Sequence, residues 1–250
     1  MGSRASFPIV PLSEDRVIMV TGANCGLGYQ IAKWAAMMGA TVILACRSVD
    51  KARAAMEKMH EEFKEEKTKG TSNMTEKSTL CLEFLKVDLG SFKSVAQFCE
   101  DFKKTGRPLH VLVCNAAKLL SVMKQSGLDC RIIFNSSKAE RFASFDIENI
   151  SFTGTKRNYP VHSCYNQSKL YQIMQMFAMS RRLTGTNITV NSLHPGIVET
   201  EIWRYSHSWM KRCWIFIARC FCLTRTPIYG ATFAIDLVVN PKHAGVSGLY

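Results

Sequence analysis

The chain has 250 residues, 47% of them hydrophobic, and a formal net charge of +12. That length suits one α/β domain with a substantial core, and no apolar run reaches the roughly 18 residues a membrane-spanning helix needs. The first residues, Met1 to Pro11, lack a secretory signal pattern, and the ten cysteines show neither Cys-x-x-Cys pairs nor histidines at ligand spacing, so reduced cytoplasmic thiols are expected rather than disulfides or a metal.

In chain order, an N-terminal extension over residues 1–15 leads into a single domain over 16–250. A short apolar run, Arg16–Val20, reads as a buried parallel strand. It runs into Thr21-Gly22-Ala23-Asn24-Cys25-Gly26-Leu27-Gly28, where the glycine spacing is Gly-x-x-x-Gly-x-Gly. Glycines there let the backbone approach a pyrophosphate, and the helix that follows adds free N–H groups and a favourable dipole. Residues Gly22, Asn24, Cys25, Gly26, Leu27 and Gly28 are therefore candidate cofactor contacts; the alternative is an ordinary glycine turn between strand and helix.

Further strands are predicted at Thr41–Ala45, Leu80–Leu85, Val111–Cys114, Arg131–Asn135 and Thr189–Leu193, with a last clipped strand at Gly245–Tyr250. Helices are predicted at Leu27–Gly39, Val49–Lys67, Ser91–Thr105, Ser163–Thr184 and Pro227–Val238. Alternating strands and helices specify an α/β fold, a Rossmann-like doubly wound parallel sheet. The polar, glycine-containing stretch from Lys67 to Ser78 reads as a surface loop, and the mixed charges of Lys51 to Lys69 as a solvated helix face.

The stretch Tyr165-Asn166-Gln167-Ser168-Lys169 places a tyrosine and a lysine four apart, on one helix face. A free tyrosine ionises near ~10, and an ammonium close by favours the phenolate. The pair therefore offers an acid/base group and the means to tune it, although Tyr-x-x-x-Lys also arises by chance on solvated helices.

The glycine turn and the Tyr-Lys pair together resemble the short-chain dehydrogenase/reductase family. Ile43-Leu44-Ala45-Cys46-Arg47, Val87-Asp88-Leu89, Leu112-Val113-Cys114-Asn115-Ala116-Ala117, Asn135-Ser136-Ser137 and His194-Pro195-Gly196 extend the resemblance from about Arg16 to the C-terminus. The wording is closest to the retinol-dehydrogenase-like and WW-domain-oxidoreductase-like branch. The resemblance implies hydride transfer between a carbonyl and an alcohol carbon. Tyr165 would exchange the proton, Lys169 would tune it and hold the nicotinamide ribose, and Ser137 would orient the substrate oxygen. Its neighbour Ser136 is the position most easily confused with it.

The resemblance also places Asp88 and Leu89 beside the adenine, Asn115 near the ribose, and Pro195 and Gly196 at the nicotinamide. In this fold an acid after the second strand holds the ribose hydroxyls of NAD, whereas a basic group accommodates the NADP phosphate. The strand here ends in Arg47, whose planar fork suits a phosphate, so NADP(H) is preferred and NAD(H) is the alternative.

One departure from the family stands out. Members run about fifty residues from the Asn-Ala-Gly-like turn to the serine-bearing strand, through a long helix that carries a further catalytic Asn. Here Arg131 starts that strand soon after Ala117, and Leu119–Gly127 resembles only the end of that helix. One sheet-covering helix is thus shortened or missing, and its loss is expected to expose apolar strand surface. The alternative function is an impaired, truncated member that binds cofactor or protein.

Between Glu201 and Asp236 there is no acidic residue, while Arg204, Lys211, Arg212, Arg219 and Arg225 are basic. The aromatic and basic stretch 209–222 reads as a helix packed on its own domain, as part of a substrate lid, or as a peripheral contact with an anionic membrane. Its aromatics suit a bulky apolar substrate of the retinoid, steroid or lipid aldehyde class. Relatives often form oligomers, so a homodimer is an expected partner. No zinc finger, RNA-stacking platform or helix-turn-helix spacing supports a nucleic-acid partner.

Overall fold

A computed structural model describes residues 7–113, 119–144, 161–198 and 224–250. Strands β1 (Val17–Thr21), β2 (Thr41–Cys46), β3 (Leu82–Lys86), β4 (Val111–Val113), β5 (Cys130–Asn135) and β6 (Ile188–Leu193) form one sheet. Its order is β3-β2-β1-β4-β5-β6, and every pairing is parallel. This is the doubly wound arrangement expected from the alternating runs. Its strand order reverses between β1 and β4, where such sheets open a crevice at their C-terminal ends.

Helices α1 (Gly26–Met37), α2 (Val49–Thr68), α3 (Phe92–Lys104), α4 (Leu120–Gln125), α5 (Val161–Arg182) and α6 (Pro227–Val239) flank the sheet. A second pair, β7 (Ile197–Val198) and β8 (Thr224–Arg225), is also parallel. Among the described residues, no helix is long and apolar enough to cross a membrane.

Successive strand residues point to opposite faces, so each run feeds two cores. On one face Ile18, Val20, Val42, Leu44, Val111 and Ile133 pack under α1, α2 and α6. On the other, Met19, Ile43, Leu112, Ile132 and Phe134 pack under Phe98 and Phe102 of α3, Met123 of α4 and Met176 of α5. Full burial of one such side chain stabilises by about 1.5–3 kcal/mol. The N-terminal extension, from Phe7 on, is part of the first core: Phe7 meets Trp34 edge-on at 4.9 Å, and Leu12 N–H donates to Met38 O at 2.7 Å.

Two expectations need correction. Gly245–Tyr250 is not a strand; Gly248 sits at φ +82°, outside the extended region, and the segment meets β6 through only two main-chain bonds. These run from Gly248 N to Val190 O and from Ser192 N to Leu249 O.

The shortened helix is present as α4, six residues long, yet the strands beneath it are not exposed. Leu112, Ile132 and Phe134 are all buried, covered by Leu119, Met123 and Met176. Exposed apolar side chains lie instead on the outer sides of helices on both faces, with Phe92 of α3 96%, Phe233 of α6 63%, and Met174 and Phe177 of α5 42% and 41% accessible. A short helix still plugs the hole over the strands, but it cannot reach the outer face of its neighbour.

Candidate active site

The glycine turn has a separate physical reason at each glycine. Gly22 and Gly26 adopt φ of +62° and +59°, in the left-handed region that side chains disfavour. A Cβ on Gly28 would lie 2.6 Å from Gly22 O, so the first turn of α1 closes on the strand end only without one.

Helices α2, α3 and α6 each begin with a side chain that caps an N–H: Ser48 to Lys51, Ser91 to Ser94 and Thr226 to Tyr229. Helix α1 begins at exposed Cys25 with no side-chain cap and no acid in its first turn. Its amides and dipole are therefore open to an anion at the glycine turn.

The other predicted nucleotide contacts lie along the same strand ends. Arg47 directly follows β2, is exposed, and forms no ion pair among the described residues. Asp88 follows β3; its Oδ1 accepts from Gly90 N at 3.0 Å and its N–H donates to Ser94 Oγ at 2.9 Å, which fixes the turn that holds Leu89 outward, 53% exposed. A chain of bonds joins these ends, from Gly22 N to Ala45 O and from Val87 N to Cys46 O.

Burial pushes the Cys46 thiol up, against opposing hydrogen bonds from the Asn24 and Ala23 amides, so the turn wraps directly over this side chain. Asn115 and the stretch 209–222 lie outside the described residues.

The catalytic candidates gather at the end of β5. Lys169 Nζ donates to Asn135 O at 2.9 Å and to Gln172 Oε1 at 3.1 Å, and it lies 5.5 Å from the Tyr165 ring centroid. Ser136, 3% exposed, donates its Oγ hydrogen to Lys169 O at 3.0 Å. These two bonds clamp α5 to the strand end, and Gln167 Nε2 adds a third tie to Ser144 O at 2.9 Å.

Ser137 and its neighbour Ser136, the position most easily confused with it, stand in different surroundings. Ser136 is buried in a structural bond, whereas Ser137 is partly accessible and accepts from Ala139 N at 3.2 Å at the start of a 3-10 turn, Lys138–Phe142.

That turn is tied to the Pro195-Gly196 stretch. Lys138 N donates to His194 Nδ1 at 3.3 Å. An acceptor nitrogen requires a neutral imidazole, and burial together with the nearby Lys138 charge lowers the His194 pKa in agreement. Ser137, Pro195 and Gly196 are thereby brought to one end of the sheet.

Sequence reasoning missed Gly230 of α6. A Cβ there would meet Val198 Cγ2 at 2.3 Å, Leu27 Cδ2 at 3.2 Å and Pro195 O at 3.3 Å. Its small size lets α6 pack against Leu27 of the glycine turn and the Pro195 stretch together. Only the three-dimensional crossing reveals this. Gln172 was missed as well, although its spacing of three from Lys169 on a predicted helix could have found it.

Comparison with known proteins agrees with this geometry. The family model described as short chain dehydrogenase matches residues 16–131. Retinol dehydrogenase 14 of Mus musculus is 30% identical, over 96% of this chain and 78% of its own length. That match spans 267 positions, more than the 250 residues here, so the relative carries positions with no counterpart in this chain.

WW domain-containing oxidoreductase of Danio rerio is 32% identical over 95% of this chain, which spans 61% of that protein. Among solved structures, L-sorbose reductase from Gluconobacter frateurii shares the fold with a TM-score of 0.68 at 18% identity, covering 97% of this chain and 95% of its own. With a doubly wound sheet, a glycine cradle and a clamped Tyr-Lys pair behind that similarity, the chain belongs to the short-chain dehydrogenase/reductase family of oxidoreductases.

Proposed function

We propose that this chain is an NADP(H)-dependent oxidoreductase interconverting a carbonyl and an alcohol on an apolar substrate, with Tyr165 as the acid/base. The observation that carries this reading is the anchoring of Lys169 at the end of β5 by the Lys169–Asn135 and Ser136–Lys169 bonds, with the Tyr165 ring centroid 5.5 Å from its ammonium. The residues present fit a dinucleotide: Gly22, Asn24, Cys25, Gly26, Leu27 and Gly28 would hold the pyrophosphate side, and Asp88 and Leu89 the adenine. Asn115, Pro195 and Gly196 would border the ribose and nicotinamide. Bound there, the nicotinamide supplies or accepts the hydride.

Each protein group then has a defined task. Tyr165 gives its phenol proton to the oxygen as the carbonyl carbon is reduced, or removes it from the alcohol in the reverse direction. Lys169 holds its ammonium 5.5 Å from the ring centroid and would also hold the nicotinamide ribose. Ser137 donates a hydrogen bond to the substrate oxygen.

Exposed Arg47 supports NADP(H) over NAD(H), since it meets no acid among the described residues and can face the extra phosphate. Structural neighbours solved with NADPH, L-sorbose reductase, and with NADP, a gluconate 5-dehydrogenase, are consistent with that choice. The names of two relatives, retinol dehydrogenase 14 and polyprenol dehydrogenase, support an isoprenoid-like apolar substrate.

The test is NADPH consumption with a panel of retinal, steroid ketones and long-chain aldehydes. Turnover is expected in the native chain and lost in Tyr165→Phe; equal turnover in that variant would sink the reading. A second reading is favoured by one observation, the six-residue α4 where relatives have a long helix. On that reading the chain binds nucleotide or a protein partner without turnover. Nucleotide binding with no turnover on any substrate, regained when the relative's longer segment is inserted, would select it.

A further inference from the structure

We infer that Gln172 is a positioning residue for Lys169, a role that rests on the proposed function of the Tyr165–Lys169 pair. An ammonium carries three N–H donors on a flexible stem and needs acceptors to fix its direction. Two are in place here: the main-chain oxygen of Asn135 at 2.9 Å and Gln172 Oε1 at 3.1 Å. The first comes from the sheet and the second from the lysine's own helix, one turn on. Fixing two N–H directions fixes the third, and with it where the charge sits relative to the Tyr165 ring, 5.5 Å away.

The chemistry of the amide matters as much as its place. Both of these acceptors are neutral, so each orients the ammonium without adding a counter-charge of its own. A carboxylate at position 172 would hold the nitrogen equally well but would neutralise its field at the tyrosine. Gln172 is also half-buried, on the inner part of α5 rather than its solvent face, so its bond to Lys169 is partly shielded from competing water.

The experiment compares the native chain with Gln172→Leu and Gln172→Glu, each checked for an unchanged unfolding transition. The first readout needs no turnover: acylation of Lys169 by acetic anhydride, quantified by peptide mass against exposed Lys138. Removing the amide acceptor is expected to raise Lys169 labelling several-fold in Gln172→Leu and to leave Lys138 unchanged.

The second is kinetic. Gln172→Leu should lower kcat by about tenfold or more with little change in the carbonyl KM, and Gln172→Glu should also lower kcat despite retaining an acceptor. Neither change should have any effect in a Lys169→Ala background. Unaltered Lys169 labelling, or a loss of kcat that persists without the lysine, would overturn the inference. A labelling change in a chain with no NADPH-dependent turnover would sustain the positioning role while removing the enzymatic reading.

Discussion

The two faces of the sheet solve the same packing problem with unequal means. Under α1, α2 and α6 the core is continuous, from the N-terminal Phe7 to Val238, and long helices cover it from end to end. Under α3, α4 and α5 the core is equally dry at the strands, yet α4 is only six residues long and α5 shows apolar side chains to the outside. Strand burial and helix coverage are thus separable. A few well-placed residues, Leu119, Met123 and Met176, keep water from the sheet, while the outward side of the neighbouring helix is left unpartnered among the described residues. The nucleotide cradle lies on the fully built side, and the Tyr165–Lys169 pair on the abbreviated one.

The largest expected effect lies where Arg131 ties β5 to the end of α6. Arg131, 2% exposed, is held by Asp129 and donates to Leu237 O and Asn240 O at the end of α6, both at 2.8 Å. Replacing Asp129 with Asn leaves that guanidinium buried and short of a counter-charge, an expected loss of about 3 kcal/mol in denaturant unfolding at neutral pH. Burial alone would raise the Asp129 pKa, but hydrogen bonds and charge from Arg131 and Arg16 outweigh it and hold it below the usual range. The contribution is therefore present above the unfolded carboxylate value near ~3.9 and lost as pH falls through the lower folded value. The gap between native and Asp129→Asn stabilities should close on acidification.

Next in size is a contrast between neighbours on α5. Met176 is fully buried under β5 and its truncation to Ala should cost about 2–3 kcal/mol, whereas Phe177→Ser, at a half-exposed site, should fall within about 0.5 kcal/mol. Equal losses at the two positions would show that the outer face of α5 is covered after all. On the nucleotide side, Arg47→Ala should weaken NADPH binding by about tenfold and leave NADH unchanged, one charge-assisted contact being worth that much. An equal loss for both nucleotides would remove Arg47 from the phosphate.

Much of this was legible before any coordinates. Short apolar-rich runs located β1, β2, β5 and β6 to within a residue, because strands buried on both faces of a parallel sheet are mostly apolar. The glycines at 22, 26 and 28 were readable since each answers a local backbone demand. Gly245–Tyr250 was not: left-handed glycines at 245 and 248 break its extended run, so it meets β6 through two main-chain bonds without forming a strand. Nor was the division of labour between Ser136 and Ser137, which depends on a bond to Lys169, 33 positions on. The same holds for the burial of Leu112 and Ile132 beneath a six-residue helix, where tertiary packing decided what pattern could not.

The central claim, that the built side of the molecule takes NADP(H), is tested most directly by thermal unfolding with NADPH and NADH in turn. At a hundredfold excess over the dissociation constant, binding to the folded state should add about 2.7 kcal/mol. A clear upward shift with NADPH and a smaller one with NADH is the predicted result. A cooperative transition that neither nucleotide moves would contradict it.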